Sequence, residues 1–182
     1  KTHYFTKTHA NINKIILFYK NSYNSYKSAN EKLGLCKTSF NIANINCTMG
    51  NLDESLKWQE ISFSLAQSTN HVVMKGYNYN LRGIIYSNLS QPKEAYELFK
   101  KSLQIRKKLD DQEGVATLCR NIGVVYLSMG LLKQSITYFK KSLSICKTIG
   151  YHLGILDCYL QLGKSYKQMG IYDFAIEYFK KS

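Results

Sequence analysis

The sequence has few residues that interrupt helices and no long apolar run. Proline occurs once, at Pro92, so little in the chain breaks a helix. No stretch approaches the ~18 uninterrupted apolar residues of a membrane span. The apolar segment 15–19 is too short for a signal peptide core and lacks its flanking residues. The sequence therefore predicts no membrane span.

The spacings typical of metal sites and catalytic sites are also missing. The five cysteines form no Cys-x-x-Cys pair, and the four histidines share no metal-ligand spacing; they are His3, His9, His71 and His152. The glycines form no phosphate-binding loop, and no nucleophile has a recognisable base. The sequence therefore predicts a non-catalytic protein with no metal and no cofactor.

Cysteine is present in an odd number, on apolar positions of predicted helices. The residues are Cys36, Cys47, Cys119, Cys146 and Cys158. We interpret them as reduced, buried thiols of a protein in a reducing compartment, which predicts a cytoplasmic location.

Acidic residues are in the minority. Lysine and arginine number 25 against 12 aspartate and glutamate, a net charge of +13. Such a charge favours acidic partners, nucleic acid included. Many of the lysines, however, lie in a recurring Lys-Lys-Ser segment or in the run 106–108, Arg106 included. We interpret these positions as a solvated helix face, so the charge predicts solubility before it predicts a partner.

What the sequence does contain is a repeat of 40 residues. Phe-Lys-Lys-Ser occupies 99–102 and returns at 139–142 and 179–182. In this register small residues recur at Ala43, Gly83, Gly123 and Gly163, and helix-ending residues at Gly50, Ser90, Gly130 and Gly170. A fixed period of this length indicates stacked supersecondary units in one elongated domain.

Each unit has the periodicity of two helices. One apolar face comprises Leu118, Ile122, Tyr126 and Met129, and a second comprises Ile136, Phe139, Leu143 and Cys146. Gly130 between them suits the left-handed residue that ends a helix. We therefore predict antiparallel helix pairs and an all-α fold, in which Gly123 and Ser135 let two helices approach closely.

This pattern resembles the tetratricopeptide repeat. The matching residues are Ile122-Gly123, Tyr126, Ser135, Phe139 and Ser142, and then Leu162-Gly163, Tyr166, Ala175, Phe179 and Ser182. The resemblance covers residues 34–182 and implies a right-handed superhelical solenoid. The usual unit is ~34 residues; a 40-residue unit is similar to those of cell-polarity adaptors and bacterial signalling proteins, with longer helices and a longer turn between units, as at 148–154.

The match is weaker in the first unit. Asn46 replaces the tyrosine and Gln59 the aromatic residue, with Trp58 in a position to compensate. The register gives a divergent segment 1–33, which contains the second helix of a preceding unit at 14–31, and repeats at 34–73, 74–113, 114–153 and 154–182. The last helix carries apolar residues where a terminal unit is polar, so we expect a fragment of a longer protein.

The resemblance also implies protein–protein binding through a concave groove lined by the first helix of each unit. By helical phase the groove residues are Lys37, Asn41, Asn44, Tyr77, Asn80, Thr117, Arg120, Asn121, Gln161 and Lys164, with Thr48, Ile84, Asn88, Val124, Asp157 and Lys167 beside them. Asparagine can bond a peptide backbone and arginine a carboxylate; Asn44 and Arg120 match the family best. Val124 and Ile84 stand where a clamp for a terminal carboxylate would need a second asparagine.

We therefore expect a scaffold that binds protein or peptide segments, acidic or amphipathic, and no small-molecule substrate. Two alternatives stay open. One is a regulatory or sensor segment of a larger signalling protein, such as a kinase, a cyclase or a transcription regulator. The other is RNA binding by a helical-repeat code, which the tetratricopeptide core pattern and the varied groove residues disfavour; a nucleic-acid partner is not expected.

Overall fold

A computed structural model describes the backbone of residues 2–182 and the side chains of residues 11–182. Over this part of the chain it is helical throughout, with α1 Thr2–Ser28, α2 Lys32–Thr48, α3 Leu52–Ser68, α4 Val72–Asn88, α5 Pro92–Lys108, α6 Gln112–Ser128, α7 Leu132–Thr148, α8 His152–Gln168 and α9 Tyr172–Lys181. The predicted all-α fold is confirmed. The side chains of His3 and His9 lie outside the described residues.

From α2 onward the helices have a constant spacing. Helices α2 to α8 have 17 residues each, and every turn between them has three. The expected longer turn at 148–154 is wrong, because α7 ends at Thr148 and α8 begins at His152. The residues beyond the usual unit length therefore lengthen the helices alone. At the N-terminus, α1 is one helix of 27 residues, longer than the predicted helix at 14–31.

Every turn contains one residue with positive φ. These residues are Asn30, Gly50, Asn70, Ser90, Asp110, Gly130, Gly150 and Gly170. At Gly130, φ is 72°, its N–H donates to the Leu127 carbonyl at 3.1 Å, and the next N–H donates to the Tyr126 carbonyl at 2.9 Å. These bonds satisfy carbonyls at the end of α6, so the predicted role of Gly130 is confirmed.

The chain divides into two compact units, Lys1–Ile85 and Tyr86–Ser182. In the first unit, a core cluster joins α2 and α4 through Ala43, Cys47, Leu81 and Ile85. In the second, Phe139 and Leu143 of α7 pack on Cys158 and Leu162 of α8. None of the helices among the described residues has the length and apolar character needed to cross a bilayer.

Gly123 on α6 leaves room for the aromatic ring of Phe139 on α7. A Cβ at this position would lie 2.6 Å from Cε1 of Phe139, and Phe139 is fully buried. Gly163 has the same relation to Phe179, at 2.5 Å. In each of these units the glycine of the first helix therefore leaves room for the aromatic ring of the second helix.

In the first repeat, Gln59 itself occupies the position at which the later repeats have an aromatic residue. Its side chain is fully buried, and its Nε2 donates to Asn78 Oδ1 at 3.4 Å, whereas its Oε1 has no hydrogen-bond partner. Trp58 packs beside that position, with its ring 5.3 Å from that of Tyr23 on α1. Trp58 also packs against the core cluster of Ala43, Cys47, Leu81 and Ile85, while Asn78 is the residue that meets Gln59.

The serine of the Lys-Lys-Ser segment is a core residue in the second and third repeats, where Ser102 and Ser142 are buried. Ser142 Oγ donates to the Ala116 carbonyl at 2.7 Å and accepts from Cys158 Sγ at 3.2 Å. Ser62 Oγ donates in the same way to the Cys36 carbonyl at 2.9 Å. This serine therefore ties the second helix of a repeat to its first helix. The lysines before it, Lys140 among them, are exposed as predicted.

The predicted burial of the five cysteines is confirmed. Burial raises the pKa of the Cys158 thiol to about 11.

The predicted exposure of Arg106 is wrong, because only 5% of its surface is exposed and its guanidinium pairs with Asp111. Asp111 also accepts from the Gly114 N–H at 2.8 Å, so it caps α6 and holds Arg106 at once.

Candidate functional site

The first helices of the repeats, α2, α4, α6 and α8, carry all ten predicted groove residues. None of the ten is buried. The exposed ones are Lys37, Asn44, Tyr77 and Lys164, and the half-buried ones are Asn41, Asn80, Thr117, Arg120, Asn121 and Gln161. Their side chains are therefore accessible for contacts outside the core.

In the unit Lys1–Ile85 a pocket of about 250 Å³ opens on this surface. Helix α2 contributes Lys37, Phe40 and Asn41, and α4 contributes Met74 and Tyr77. The rings of Phe40 and Tyr77 are 5.8 Å apart and inclined at 60°. We call this the α2–α4 pocket. It brings together three of the predicted groove residues around an apolar interior.

Two residues of the α2–α4 pocket were missed by sequence reasoning. Phe40 and Met74 fall between the core and groove columns of the repeat, and Met74 is only 6% exposed. A signal was present, because Phe40 follows Lys37 by three positions and Met74 precedes Tyr77 by three. Residues three apart share a helix face.

In the unit Tyr86–Ser182 the corresponding surface is polar. The Arg120 guanidinium on α6 pairs with the Asp157 carboxylate on α8 and donates to Asn121 Oδ1 at 3.3 Å. Gln161 Nε2 donates to Asp157 Oδ1 at 3.2 Å. Four side chains of the predicted groove face therefore form one hydrogen-bonded network, and Asp157 offsets the charge of Arg120.

A cavity of about 200 Å³ lies beside this network. It is lined by Thr117, Arg120, Cys146, Tyr151, Leu153, Gly154 and Asp157. On α8 the neighbouring surface is apolar, with Leu153 exposed by 72% and Leu156 and Leu160 by 43% and 37%. The surface here combines a neutralised ion pair with exposed leucines.

The Arg120–Asp157 pair was not expected from helical phase, which places both residues on the groove face without pairing them. In the 40-residue register Arg120 aligns with Leu160, and Asp157 lies one helical turn earlier. The sequence did contain a signal for this pair. The first helices of successive repeats carry opposite charges that are offset by one helical turn.

Most of the positive charge of this unit lies on second helices. Helix α7 has no acidic residue and four exposed lysines, Lys133, Lys140, Lys141 and Lys147, and α5 has a further five, Lys93, Lys100, Lys101, Lys107 and Lys108. Helices α6 and α8 together carry only Arg120, Lys164 and Lys167, against Glu113 and Asp157. The basic surface is therefore largely separate from the predicted groove face.

The sequence matches the profile of one protein family, described as Tetratricopeptide repeat, at residues 35–108, 74–148 and 114–182. The chain belongs to the tetratricopeptide repeat family. The matches overlap and together take in every helix from α2 to α9 almost completely. No curated protein sequence matches the chain.

Solved structures with the same fold share little sequence with the chain. BtubC from P. vanneervenii is 16% identical, with a TM-score of 0.80 over 96% of this chain and 73% of its own. Aspartyl phosphate phosphatase F from Bacillus subtilis is 16% identical, with a TM-score of 0.82 over 91% of this chain. A Rap protein complexed with Competence and Sporulation Factor is 15% identical, with a TM-score of 0.86 over 97% of this chain.

These repeats span only part of two of those proteins. The chain corresponds to 44% of the Bacillus subtilis phosphatase and 50% of the Rap protein. At such low identity the likeness concerns the fold alone.

Proposed function

We propose that this chain is a non-catalytic protein-interaction scaffold that binds extended peptide segments on the face of its first helices. The observation that carries the proposal is that each unit has accessible amide and lysine side chains on its first helices, which in the unit Lys1–Ile85 lie beside the α2–α4 pocket. An asparagine side chain offers both a donor and an acceptor to a peptide backbone. A lysine ammonium supplies a point charge for a carboxylate.

The comparisons support the coarser part of this proposal. Tetratricopeptide repeats serve as protein-interaction scaffolds, and the Rap protein of the same fold was solved in complex with Competence and Sporulation Factor. For the present chain we propose a protein or peptide partner of acidic or amphipathic character, and a cytoplasmic setting that suits five reduced thiols.

The geometry changes which residue we expect to meet an acidic partner. Arg120 already holds Asp157, so a ligand carboxylate would have to displace an internal partner to reach it. Lys164 and Lys167 on α8 are exposed and lie on the same helix as the leucines. We therefore propose Lys164 as the acid-contacting residue of this unit, with Arg120 ordering the surface beside it.

A peptide-display selection on the purified chain tests the proposal. The informative pair of variants is Lys164→Glu on α8 and Lys140→Glu on α7. Each reverses the charge of one exposed lysine, the former on the first helix of a repeat and the latter on a second helix. We expect peptides enriched by the wild type to lose binding to Lys164→Glu and to keep it with Lys140→Glu. Equal loss in both variants, or loss in Lys140→Glu alone, would place binding on the second helices and contradict the proposal.

A second candidate function is a sensor segment of a larger signalling protein. The chain is 22% identical to the STAND signal-transduction ATPase of Pyrococcus horikoshii, whose tetratricopeptide repeats are named as its sensor, and it spans 24% of that protein, with a TM-score of 0.72. The similarity supports this reading through the fold alone. Sequencing the transcript that encodes the chain tests it, because an adjoining ATPase, kinase or cyclase domain is expected, and a transcript that encodes repeats only would reject it.

A further inference from the structure

The interior of the α2–α4 pocket is apolar. Phe40 and Tyr77 supply two inclined rings, and Met74 supplies a thioether that is almost fully buried. Methionine adapts its shape to a neighbouring group and makes favourable contacts with aromatic rings. The interior is therefore suited to a single apolar side chain, such as that of leucine, methionine or phenylalanine.

The pocket is small compared with typical sites for small molecules. Its volume is about 250 Å³, below the ~300–1,000 Å³ typical of sites for drug-sized molecules. Such a volume has room for an apolar side chain of a bound peptide, while the rest of the peptide stays on the surface. Asn41 lines the same pocket, so its amide can bond the peptide backbone beside the inserted side chain.

Lys37 gives the pocket a charge that no internal acid neutralises. Among the described residues, the carboxylates within 4.0 Å of a cation pair with Lys57, Arg82, Lys100, Arg106, Arg120 or Lys181, and none pairs with Lys37. The ammonium lies one helical turn before Phe40. A peptide whose apolar side chain enters the pocket would place its adjacent residues near Lys37, where an acidic side chain is favoured.

We infer that the α2–α4 pocket binds a short peptide motif composed of one apolar anchor residue and an acidic residue within two positions of it. This inference rests on the proposed function and specifies the ligand of that face. In the first unit, Lys37 therefore has the acid-binding role that the sequence assigned to Arg120, while Phe40, Met74 and Tyr77 bind the anchor.

The inference is tested by display selections on the wild type and on Tyr77→Ala, Tyr77→Phe, Lys37→Glu and Lys140→Glu. Circular dichroism at the assay temperature verifies that each variant is folded. We expect the wild type to enrich peptides with an apolar residue next to aspartate or glutamate. Tyr77→Ala should bind these peptides about thirtyfold more weakly, the usual effect of removing an aromatic anchor contact, whereas Tyr77→Phe keeps the ring and should bind them well.

The charge reversal gives the sharper result. Selection on Lys37→Glu should return peptides in which lysine or arginine replaces the acidic residue, and selection on Lys140→Glu should return the wild-type motif. Enriched peptides that ignore Lys37 and Tyr77 but lose binding to Lys164→Glu would overturn this inference and leave the proposed function in place. If no peptide is enriched by the wild type, both are overturned.

Discussion

Replacing Gln59 and Asn78 together should stabilise the chain, although each replacement alone should not. Both side chains are fully buried where the next repeats have Phe99 and Phe139 at one position and Leu118 and Cys158 at the other. The variants are Gln59→Phe, Asn78→Leu and the double variant. They give both positions the residues found one repeat later, Phe99 and Leu118.

The magnitude follows from the hydrogen bonds. Gln59 Oε1 has no partner, and a buried unsatisfied polar atom costs about 1–3 kcal/mol. Each single variant removes one amide and leaves its partner without the 3.4 Å bond, and Asn78→Leu also removes the bonds from Asn78 Nδ2 to Ser62 Oγ and to the Met74 carbonyl. A similar cost therefore offsets the apolar surface gained. The double variant has no such atom. We expect it to be about 1–3 kcal/mol more stable than the wild type, with a favourable coupling energy of about the same size.

Urea unfolding followed by tryptophan fluorescence measures this effect locally, since Trp58 is the only tryptophan and adjoins Gln59. Far-UV circular dichroism reports on the whole chain in the same samples. A matched control is Phe139→Gln in the other unit, where Cys158 cannot partner the amide, and it should cost about 3–5 kcal/mol. A double variant no more stable than the wild type, or singles that add to within ~0.5 kcal/mol, would refute the argument.

Three further predictions concern packing and ionisation. Gly123→Ala should lower the free energy of unfolding by about 1–3 kcal/mol, because its Cβ would lie 2.6 Å from the Phe139 ring; unchanged urea midpoints would contradict this. A hydrogen bond with Tyr96 and then burial raise the pKa of Tyr126 to about 12, above the ~10 of an unfolded tyrosine. Stability should therefore be complete below pH ~10 and fall between pH ~10 and ~12, and Tyr126→Phe should show a smaller fall. Because all five thiols are buried and burial raises the pKa of Cys158, a thiol reagent should label none rapidly until guanidinium unfolds the chain; rapid native labelling would show an open core.

The repeat made the fold predictable, because a helix pair that recurs must bury the same columns each time. Gly123, Gly130 and the phenylalanines of the second helices kept the roles that their spacing indicated. The turns were harder to predict. In the eight three-residue turns, the left-handed residue is glycine, asparagine, aspartate or serine. A search for glycine alone finds only half of these turns.

The candidate site was less accessible to sequence reasoning. Helical phase identifies side chains that leave the core, and the ten predicted residues are indeed unburied. Phase within one helix says nothing about the neighbouring helix. The pairing of Arg120 with Asp157 and the meeting of Phe40 with Tyr77 each join residues 37 positions apart, so both required the packing of one repeat on the next.

By itself, the sequence determined the helices, their antiparallel pairing and the family, because these follow from local periodicity copied every 40 residues. Only the tertiary structure decided which charges stay available. Arg106 and Arg120 have the same charge as Lys37, yet Asp111 and Asp157 pair with them, whereas no carboxylate among the side chains of residues 11–182 pairs with Lys37. The physical reason is that an ion pair depends on the distance between helices, which the order of residues along one helix does not contain.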